Sequence, residues 1–381
     1  MVSDRAYLKG ARMGAGLDRL RSEIARLTGL FEGAGAVFVE PEALQPAEVL
    51  LDLYGEEIRA RAFTAADDRG EMMLRPDFTV PIVRLHMDAG AEPARYAYCG
   101  PVWRKQEAGS KRAREYLQAG FEVFEAGDAA RTDAEVMALI ARALEGAPVE
   151  FVTGDMGLIL AAIDALGTSP ARKAALRRHV WRPAKFHALL RRYGVEHGAL
   201  TARRAPLITA RADGRLAEMA LAAGPEIGLR TLEDVAWRAG RLATEAATPP
   251  LSGAEVDLLE AVLAVEAPSG VALGQLRDLA ADAPALRPAV DRFAARLDAL
   301  GRAGIAAEAL PFQASFGRTA LEYYDGFVFG AEAPGRPDLP AIASGGRYDA
   351  LTRVLGGGRG IPAVGAIIRP EALVALTEDA R

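Results

Sequence analysis

A long helical block that interrupts a series of strands is the feature that most limits how this chain can fold. Residues 169–283 are rich in Ala, Leu and Arg, and their apolar residues recur at helical spacing almost throughout. Strands precede this block and return after it, as in AIASGGRYD. This order predicts an α+β fold in which residues 1–168 and 284–381 form one mostly antiparallel sheet, with a helical insertion between them. The alternative, in which these helices pack on the main sheet without forming a separate domain, stays open.

The composition restricts the classes of function. The 381 residues carry a net charge of −5 and have a sequence pI of about 5.6, which argues against a large nucleic-acid interface. Cys99 is the single cysteine and the four histidines show no metal-ligand pattern, so we expect neither an intramolecular disulfide nor a metal site. The sequence has no apolar run of about 18 residues and no signal-peptide segment. We therefore expect a soluble cytoplasmic protein that needs no membrane and no cofactor.

The stretch REYLQAGFEVFE, residues 114–125, has the two-residue period of a strand. One face of this strand is apolar and suits a core: Leu117, Ala119, Phe121 and Val123. The other face carries Gln118, Gly120 and Glu122, where a solvated strand usually carries Lys, Thr or Ser. The preceding stretch ARYAYCGPVWRKQ is a second strand, and the polar loop EAGSKRA between them predicts a long antiparallel hairpin.

Three further segments place polar groups where a strand should be buried. They are residues 75–79, with Asp77 and Thr79; GPVWRKQ, with Arg104; and LEYYDGFVF, in which alternate residues from Glu322 to Val328 share a face. Taken singly, Arg104 could form a surface ion pair and Tyr324 could be a core tyrosine. Together they predict a polar pocket on one face of the sheet, because buried Gln and Glu side chains are costly unless they are paired or bind a ligand.

A glycine-rich stretch, SGGRYDALTRVLGGGRGIPAVG, begins at residue 344. Gly345 and Gly346 allow the backbone to approach a ligand or a neighbouring strand closely. The stretch is neither a P-loop nor a dinucleotide-binding turn, because the required Lys and glycine spacings are missing. Spacing alone leaves its function open.

Four of these motifs occur in the order found in a known family. LRPDFTVPIVR, GPVWRKQEAGSKRAREYLQAGFEVF, LEYYDGFVF and SGGRYDALTRVLGG…PAVG resemble the ligand-binding segments of histidyl-tRNA synthetases, which are class II ligases. The resemblance extends from about Leu17 to Leu376. It implies the class II fold, an antiparallel sheet flanked by helices, with dimerisation through the segment around Pro41.

The same resemblance implies a pocket for free L-histidine. The positions that match the family's histidine site are Asp77, Thr79, Arg104, Gln118, Glu122, Tyr323 and Tyr324. Glu122 would accept a hydrogen bond from one imidazole nitrogen, and the hydroxyl of Tyr324 would meet the other. Asp77, Thr79 and Gln118 would hold the α-amino group, and Arg104 would face the carboxylate or, in a ligase, an ATP phosphate. Gly120 would leave room for the ring.

Several positions depart from the ligase pattern. Thr319 stands where a ligase has the arginine of Arg-Gly-Leu-Asp-Tyr-Tyr, and Arg318 lies one residue out of register. Ala372 replaces the arginine of Gly-Leu-Glu-Arg-Leu that clamps ATP, while Gln106 and Glu107 replace a Glu and an Arg. The chain also stops at Arg381, without the further domain of roughly 100 residues that reads the anticodon in a ligase.

A retained histidine pocket without the ATP clamp is similar to the family of ATP phosphoribosyltransferase regulatory subunits. That resemblance implies a subunit without catalytic activity of its own. The short catalytic subunit would require it for the first step of L-histidine biosynthesis, and it would take part in feedback inhibition by histidine. It also implies a self-dimer within a hetero-oligomer, expected to be a hetero-octamer. Two rival hypotheses are a histidine-activating ligase or amino-acid-charging paralogue, and a binding paralogue that has lost histidine.

Overall fold

The computed structural model describes residues 12–47, 61–68, 70–106, 110, 112–226, 228–318 and 323–378. Its strands are β1 (Val37–Phe38), β2 (Leu44–Pro46), β3 (Thr64–Asp67), β4 (Gly70–Leu74), β5 (Ala94–Trp103), β6 (Glu115–Phe124), β7 (Glu150–Asp155), β8 (Glu266–Pro268), β9 (Pro311–Gln313), β10 (Phe327–Glu332), β11 (Ala343–Arg347) and β12 (Ala363–Ile368). The helices outside the predicted insertion are α1 (Gly14–Gly33), α2 (Thr79–Ala89), α3 (Ala129–Ala143), α4 (Met156–Ala165), α12 (Arg287–Arg302), α13 (Asp349–Leu355) and α14 (Pro370–Glu378).

Seven helices lie within residues 169–226 and 228–283. They are α5 (Pro170–His179), α6 (Pro183–Tyr193), α7 (His197–Ala212), α8 (Leu216–Ala222), α9 (Leu232–Ala247), α10 (Gly253–Leu263) and α11 (Ser269–Asp282). Ser and Thr side chains cap three of them, and Thr231 and Ser252 each form a reciprocal capping box with the acidic residue three positions later. The short strand β8 follows α10 and pairs with β9, so part of this stretch belongs to the large sheet. Within the described residues, every helix is too short or too polar to cross a bilayer.

The large sheet has nine strands in the order β1-β5-β6-β12-β11-β10-β7-β9-β8. Neighbouring strands are antiparallel except in the pairs β1–β5 and β7–β9. The predicted mostly antiparallel sheet with flanking helices is therefore confirmed. The predicted hairpin is also confirmed, because β5 and β6 pair from Ala94 opposite Phe124 to Trp103 opposite Glu115.

The two faces of β6 are both buried but differ in chemistry. Phe121 and Val123 lie on the apolar face and are fully buried, and the ring of Phe121 lies 5.9 Å from that of Phe31 on α1. Gln118 and Glu122 lie on the opposite face and are 2% and 1% exposed. The sheet thus has a core on one side and a buried polar region on the other.

Helix α2 brings a loop to that polar side. A second sheet, β2-β4-β3, precedes it, and the chain then passes through Arg75 and Asp77 into α2, which begins at Thr79. Pro81 lies within the first turn of this helix, where its missing N–H removes no intrahelical hydrogen bond.

Within the described residues, the strand predicted over LEYYDGFVFGAEA begins later than expected. Strand β10 begins only at Phe327, so Tyr324 and Gly326 precede it, although Asp325 N still donates to Arg347 O. Asp325 is drawn out of strand geometry because its carboxylate accepts from the backbone N–H groups of Asp349 and Ala350, at the start of α13. Glu322 and Thr319 lie outside the described residues, as does Glu107.

Candidate functional site

The strand register defines the candidate site as a patch of the sheet around Glu122. Residues directly opposite each other on antiparallel strands point to the same face. Glu122 lies opposite Gly365 on β12, and Gly120 lies opposite Tyr98 on β5. Gln118 lies opposite Gly100. The polar face that the period of β6 predicts is therefore continuous with polar and glycine positions on both neighbouring strands.

Three hydroxyl groups converge on the carboxylate of Glu122. Thr79 Oγ1 and Tyr98 OH donate to Oε1 at 2.9 and 3.0 Å, and Tyr348 OH donates to Oε2 at 2.5 Å. These donors come from α2, from β5 and from the turn after β11. A carboxylate offers about four lone-pair sites, so one site remains beyond these three bonds.

Burial controls the protonation of this carboxylate. Loss of hydration raises the pKa of Glu122 to about 7, and the negative charge of Asp77 adds to that effect. The hydrogen bonds from Tyr348, Thr79 and Tyr98 act in the opposite direction. Glu122 is therefore poised between a carboxylate, which only accepts, and a carboxylic acid, which can also donate.

Glycines on the neighbouring strands provide the space for this cluster. A Cβ atom at Gly365 would lie 1.4 Å from Glu122 Oε2, and a Cβ atom at Gly120 would lie 2.2 Å from the ring of Tyr98. The space beside Gly120, which the sequence suggested for a ligand ring, is filled by Tyr98 in this structure.

The structure brings several of the predicted ligand residues to this cluster. Asp77 is 2% exposed, and its charge also contributes, after burial, to a raised pKa of Tyr98. Burial together with the charges of Glu122 and Asp77 raises the pKa of Tyr324. Among the described residues, Gln118 Oε1 is a buried acceptor without a hydrogen-bond partner. The ring of Tyr323 lies 4.9 Å from that of Tyr324.

Arg104 belongs to an adjacent cavity of about 340 Å³. Its Nε donates to Pro76 O at 3.0 Å. The cavity is also lined by Gln106, Arg112, Tyr116, Arg369 and Ala372. Gln106 and Ala372, two positions at which the sequence departs from the ligase pattern, thus line the same cavity as Arg104, the residue predicted to face the ligand's carboxylate. The lining is basic on balance, because four arginines, which include Arg61, outnumber the two acidic residues Asp338 and Glu371.

Arg318 does not enter this cavity. Its Nε donates to Val180 O at 2.8 Å, and its guanidinium lies 4.9 Å from the ring centroid of Phe186. Arg318 lies in a turn, so the alternation of side chains along a strand does not explain its direction. Its side chain nevertheless points away from the cavity, as expected.

Sequence reasoning missed three residues of the site: Tyr98, Tyr348 and Arg369. Tyr98 could have been found only with the hairpin register, which places it opposite Gly120. Tyr348 directly follows the glycine-rich stretch Gly345–Gly346, which was noted without a function. Arg369 stands where the ligase motif Gly-Leu-Glu-Arg-Leu begins with glycine, so the motif itself does not mark it as a site residue.

Comparisons with known proteins identify the family. The sequence model of the family described as histidyl-tRNA synthetase matches residues 16–249 and 238–373. Curated relatives from Brucella ovis and Brucella abortus, each 36% identical over 370 residues, are ATP phosphoribosyltransferase regulatory subunits. The matches cover 90% of this chain and 94% and 93% of those relatives. The chain belongs to the ATP phosphoribosyltransferase regulatory subunit family.

Solved structures place this regulatory-subunit family member in the class II synthetase fold. A chain from Bacillus halodurans, described as an ATP phosphoribosyltransferase regulatory subunit/histidyl-tRNA synthetase, superposes with a TM-score of 0.67 at 20% identity, over 99% of this chain and 83% of that one. A histidine–tRNA ligase subunit from Alicyclobacillus acidocaldarius gives a TM-score of 0.58 at 23% identity, over 98% of this chain and 99% of that one. At such identities these likenesses concern the fold alone.

In this member of the family, the cluster around Glu122 offers binding groups for a polar heteroaromatic ligand. Glu122 can accept from a ring N–H or, when protonated, donate to a ring nitrogen. Gln118 Oε1 is an acceptor suited to an ammonium group, and the basic cavity beside it suits an anionic group.

Proposed function

We propose that this protein is a histidine-sensing subunit without catalytic activity of its own, which the short catalytic subunit of ATP phosphoribosyltransferase requires in the first step of L-histidine biosynthesis. The observation that carries the proposal is the buried Glu122 cluster, which lies beside a cavity where Ala372 replaces the ATP-clamping arginine of a ligase. Family membership supports the regulatory role. The complex would work in the cytoplasm.

Free L-histidine is the proposed ligand of the cluster. One imidazole nitrogen would bond to Glu122 and the other to Tyr324, while Asp77, Thr79 and Gln118 would hold the α-amino group. An amino acid without two opposed ring nitrogens would leave Glu122 or Tyr324 unpaired, which costs on the order of 1–3 kcal/mol per buried group. The pocket would therefore select histidine over amino acids of similar size.

The alanine at position 372 of the cavity supports the absence of ligase activity. Adenylate formation needs positive groups that follow the charge as it develops on the phosphates. Arg104 lines the cavity, but position 372, where a ligase has its second clamping arginine, carries a methyl group. A ligase with this cavity would lose much of its transition-state stabilisation, so no observation favours the histidine-activating alternative.

Regulation would follow from differential binding. Histidine can shift the complex towards an inhibited state only if it binds that state more tightly than the active one. A tenfold preference corresponds to about 1.4 kcal/mol. The hydroxyl donors of Glu122 come from three separate elements, so a ligand that displaced one of them would change how those elements pack.

The proposed assembly is a self-dimer within a hetero-octamer that also contains the catalytic subunit. The dimer would form through the segment around Pro41, and two large apolar residues on either side of it are exposed: Val37 at 63% and Leu44 at 45%. Strand β1, at the edge of the large sheet, belongs to the same region and offers unpaired backbone groups.

A reconstitution assay tests the proposal. This protein is mixed with the short catalytic subunit, ATP and phosphoribosyl pyrophosphate, and phosphoribosyl-ATP formation is followed with and without histidine. Activity that requires both proteins and falls with histidine supports the proposed role. Full activity of the catalytic subunit alone, or histidine-dependent ATP–pyrophosphate exchange by this protein alone, would contradict it.

A further inference from the structure

We propose that Arg369 binds the α-carboxylate of the amino acid in the Glu122 pocket, and thereby restricts the pocket to ligands with a free carboxylate. The inference rests on the proposed function, since it concerns the same ligand. It adds a residue that selects one end of that ligand, at a position where the ligase pattern has a glycine.

The strand register places Arg369 on the pocket face. Strand β12 pairs with β6 from Ala363 opposite Phe124 to Ile368 opposite Ala119. Arg369 is the first residue after β12, and extending this register by one residue places its backbone beside Gln118. Residues 365, 367 and 369 alternate with those of the other face, so Arg369 shares the side of Gly365, the partner of Glu122. The backbone N–H of Arg369 donates to Ile342 O at 2.8 Å, which holds this position in the ladder with β11.

The spacing along the sheet fits one amino acid. Glu122 and the Gln118–Arg369 row are separated by four residues of β6, or about 13 Å between Cα atoms. A ligand whose ring bonds to Glu122 would direct its α-carbon substituents towards Gln118 and Arg369.

Arg369 also lies near other groups of the predicted ligand site. The tyrosines Tyr116 and Tyr324 are close enough to raise the pKa of its guanidinium, although burial and the positive charges of Arg104 and Arg112 outweigh them and lower it. Arg104, Arg112, Tyr116 and Arg369 line the same cavity. Arg369 thus lies near Tyr324, which belongs to the Glu122 cluster, and near Arg104, which is predicted to face the ligand's carboxylate.

The positive charge of Arg369 has no carboxylate partner among the described residues. Its Nη1 donates to Ala341 O, which leaves further N–H donors of the guanidinium for a ligand. Glu371, two positions away, instead bonds to Arg12 and to the backbone N–H of Leu117. Like charges at Arg104, Arg112 and Arg369 repel one another in a partly buried site, and a ligand carboxylate between them would relieve that repulsion.

Arg369 thereby changes what this cavity recognises. The guanidinium comes from the end of β12, three residues before Ala372, where the ligase pattern has its ATP-clamping arginine. Beside Gln118, the guanidinium of Arg369 would contact the amino acid instead of ATP. A planar guanidinium can bind the carboxylate of that amino acid through two parallel hydrogen bonds.

The test compares L-histidine with L-histidinol, in which an alcohol replaces the carboxylate. Both are titrated by calorimetry into the wild-type protein, Arg369→Ala, Arg369→Gln and the matched control Arg353→Ala, which removes an exposed arginine on α13. We expect the two Arg369 variants to bind L-histidine at least about tenfold more weakly, with L-histidinol affinity within about threefold of wild type. Arg369→Gln keeps an N–H donor for Ala341 O, so it separates loss of charge from loss of folding.

The possible outcomes distinguish the two proposals. If the wild-type protein binds histidine and folded Arg369→Gln binds it with the same affinity, the proposed role of Arg369 is wrong. The proposed function would then remain intact. Equal weakening of histidine and histidinol would assign Arg369 a purely structural role and also overturn the inference. If the wild-type protein, alone and with its catalytic partner, binds no histidine, the proposed ligand and this inference are both wrong.

Discussion

Glu122 and Gly365 lie directly opposite each other on β6 and β12, and the carboxylate of Glu122 occupies the space that a side chain at position 365 would need. The pair explains a glycine within a buried strand, where glycine is otherwise unfavourable. The strand accepts this glycine because the buried carboxylate and its three hydroxyl donors need the room.

Replacing Gly365 with alanine should displace Glu122. The added Cβ would lie 1.4 Å from Oε2, and a fully buried carboxylate has little room to move. We expect a loss of unfolding free energy of about 1–3 kcal/mol and weaker histidine binding, measured by urea denaturation and calorimetry. Gly29→Ala is the matched control, because that glycine lies in α1 with no atom within 4 Å of an added Cβ. Equal stability of the two variants would contradict the packing described here.

The raised pKa of Glu122 makes the stability of the fold depend on pH. The folded group titrates at about 7, against an ordinary value of 4.5. Its protonation therefore stabilises the fold fully below about pH 4.5, and this contribution is lost as the pH rises through about 7. Glu122→Gln cannot lose a proton, so its unfolding free energy relative to wild type should increase from pH 5 to pH 8.

Thermal denaturation at several pH values between 5 and 8 checks this trend. Glu115→Gln is the matched control, since Glu115 is an exposed residue of the same strand. Asp325, whose pKa burial and Asp349 also raise to about 7, is present in every variant and cancels in the comparison. A constant difference between Glu122→Gln and wild type across this range would show that Glu122 titrates normally.

A buried ion network connects the site to the rest of the sheet. Asp133 on α3 accepts from Arg296 Nε at 3.0 Å and from Arg347 Nε at 2.9 Å, and Arg347 precedes Tyr348. Asp133→Asn would leave two buried guanidinium groups with one counter-charge fewer, so we expect a loss of about 3–5 kcal/mol of unfolding free energy.

Urea denaturation measures that loss. The matched control is Asp213→Asn, which breaks an exposed pair with Arg215 at 2.7 Å and should change stability by less than about 1 kcal/mol. Similar losses in the two variants would mean that the buried network contributes no more than a surface pair.

Local sequence pattern was sufficient to predict much of the fold. The period of two in β6, with Phe121 on one face and Glu122 on the other, survives in the structure because both faces are buried. Asp128, a residue type favoured at helix N-caps, directly precedes α3, and its side chain accepts from Arg131 N at 3.0 Å. Such features depend on residues close together in the chain.

The hydroxyl cluster could not be predicted in this way. Tyr348 lies 226 residues from Glu122 in the chain. Their hydrogen bond forms only because β12 pairs with both β6 and β11, which brings the end of β11 close to Glu122. The strand predicted at Tyr324 is absent for a similar reason, because the carboxylate of Asp325 accepts hydrogen bonds from the backbone at the start of α13, and these override the local preference. Strand order and register thus decide the chemistry of the site.

Calorimetric titration of L-histidine into the wild-type protein and Glu122→Ala tests the assignment of the pocket, with circular dichroism confirming that the variant is folded. We expect one histidine site per chain in the wild-type protein, and the Glu122 pocket predicts where it lies. We also expect at least about a tenfold loss of affinity in Glu122→Ala, because the imidazole would lose its buried partner. Unchanged histidine affinity in a folded Glu122→Ala variant would contradict the assignment of this pocket.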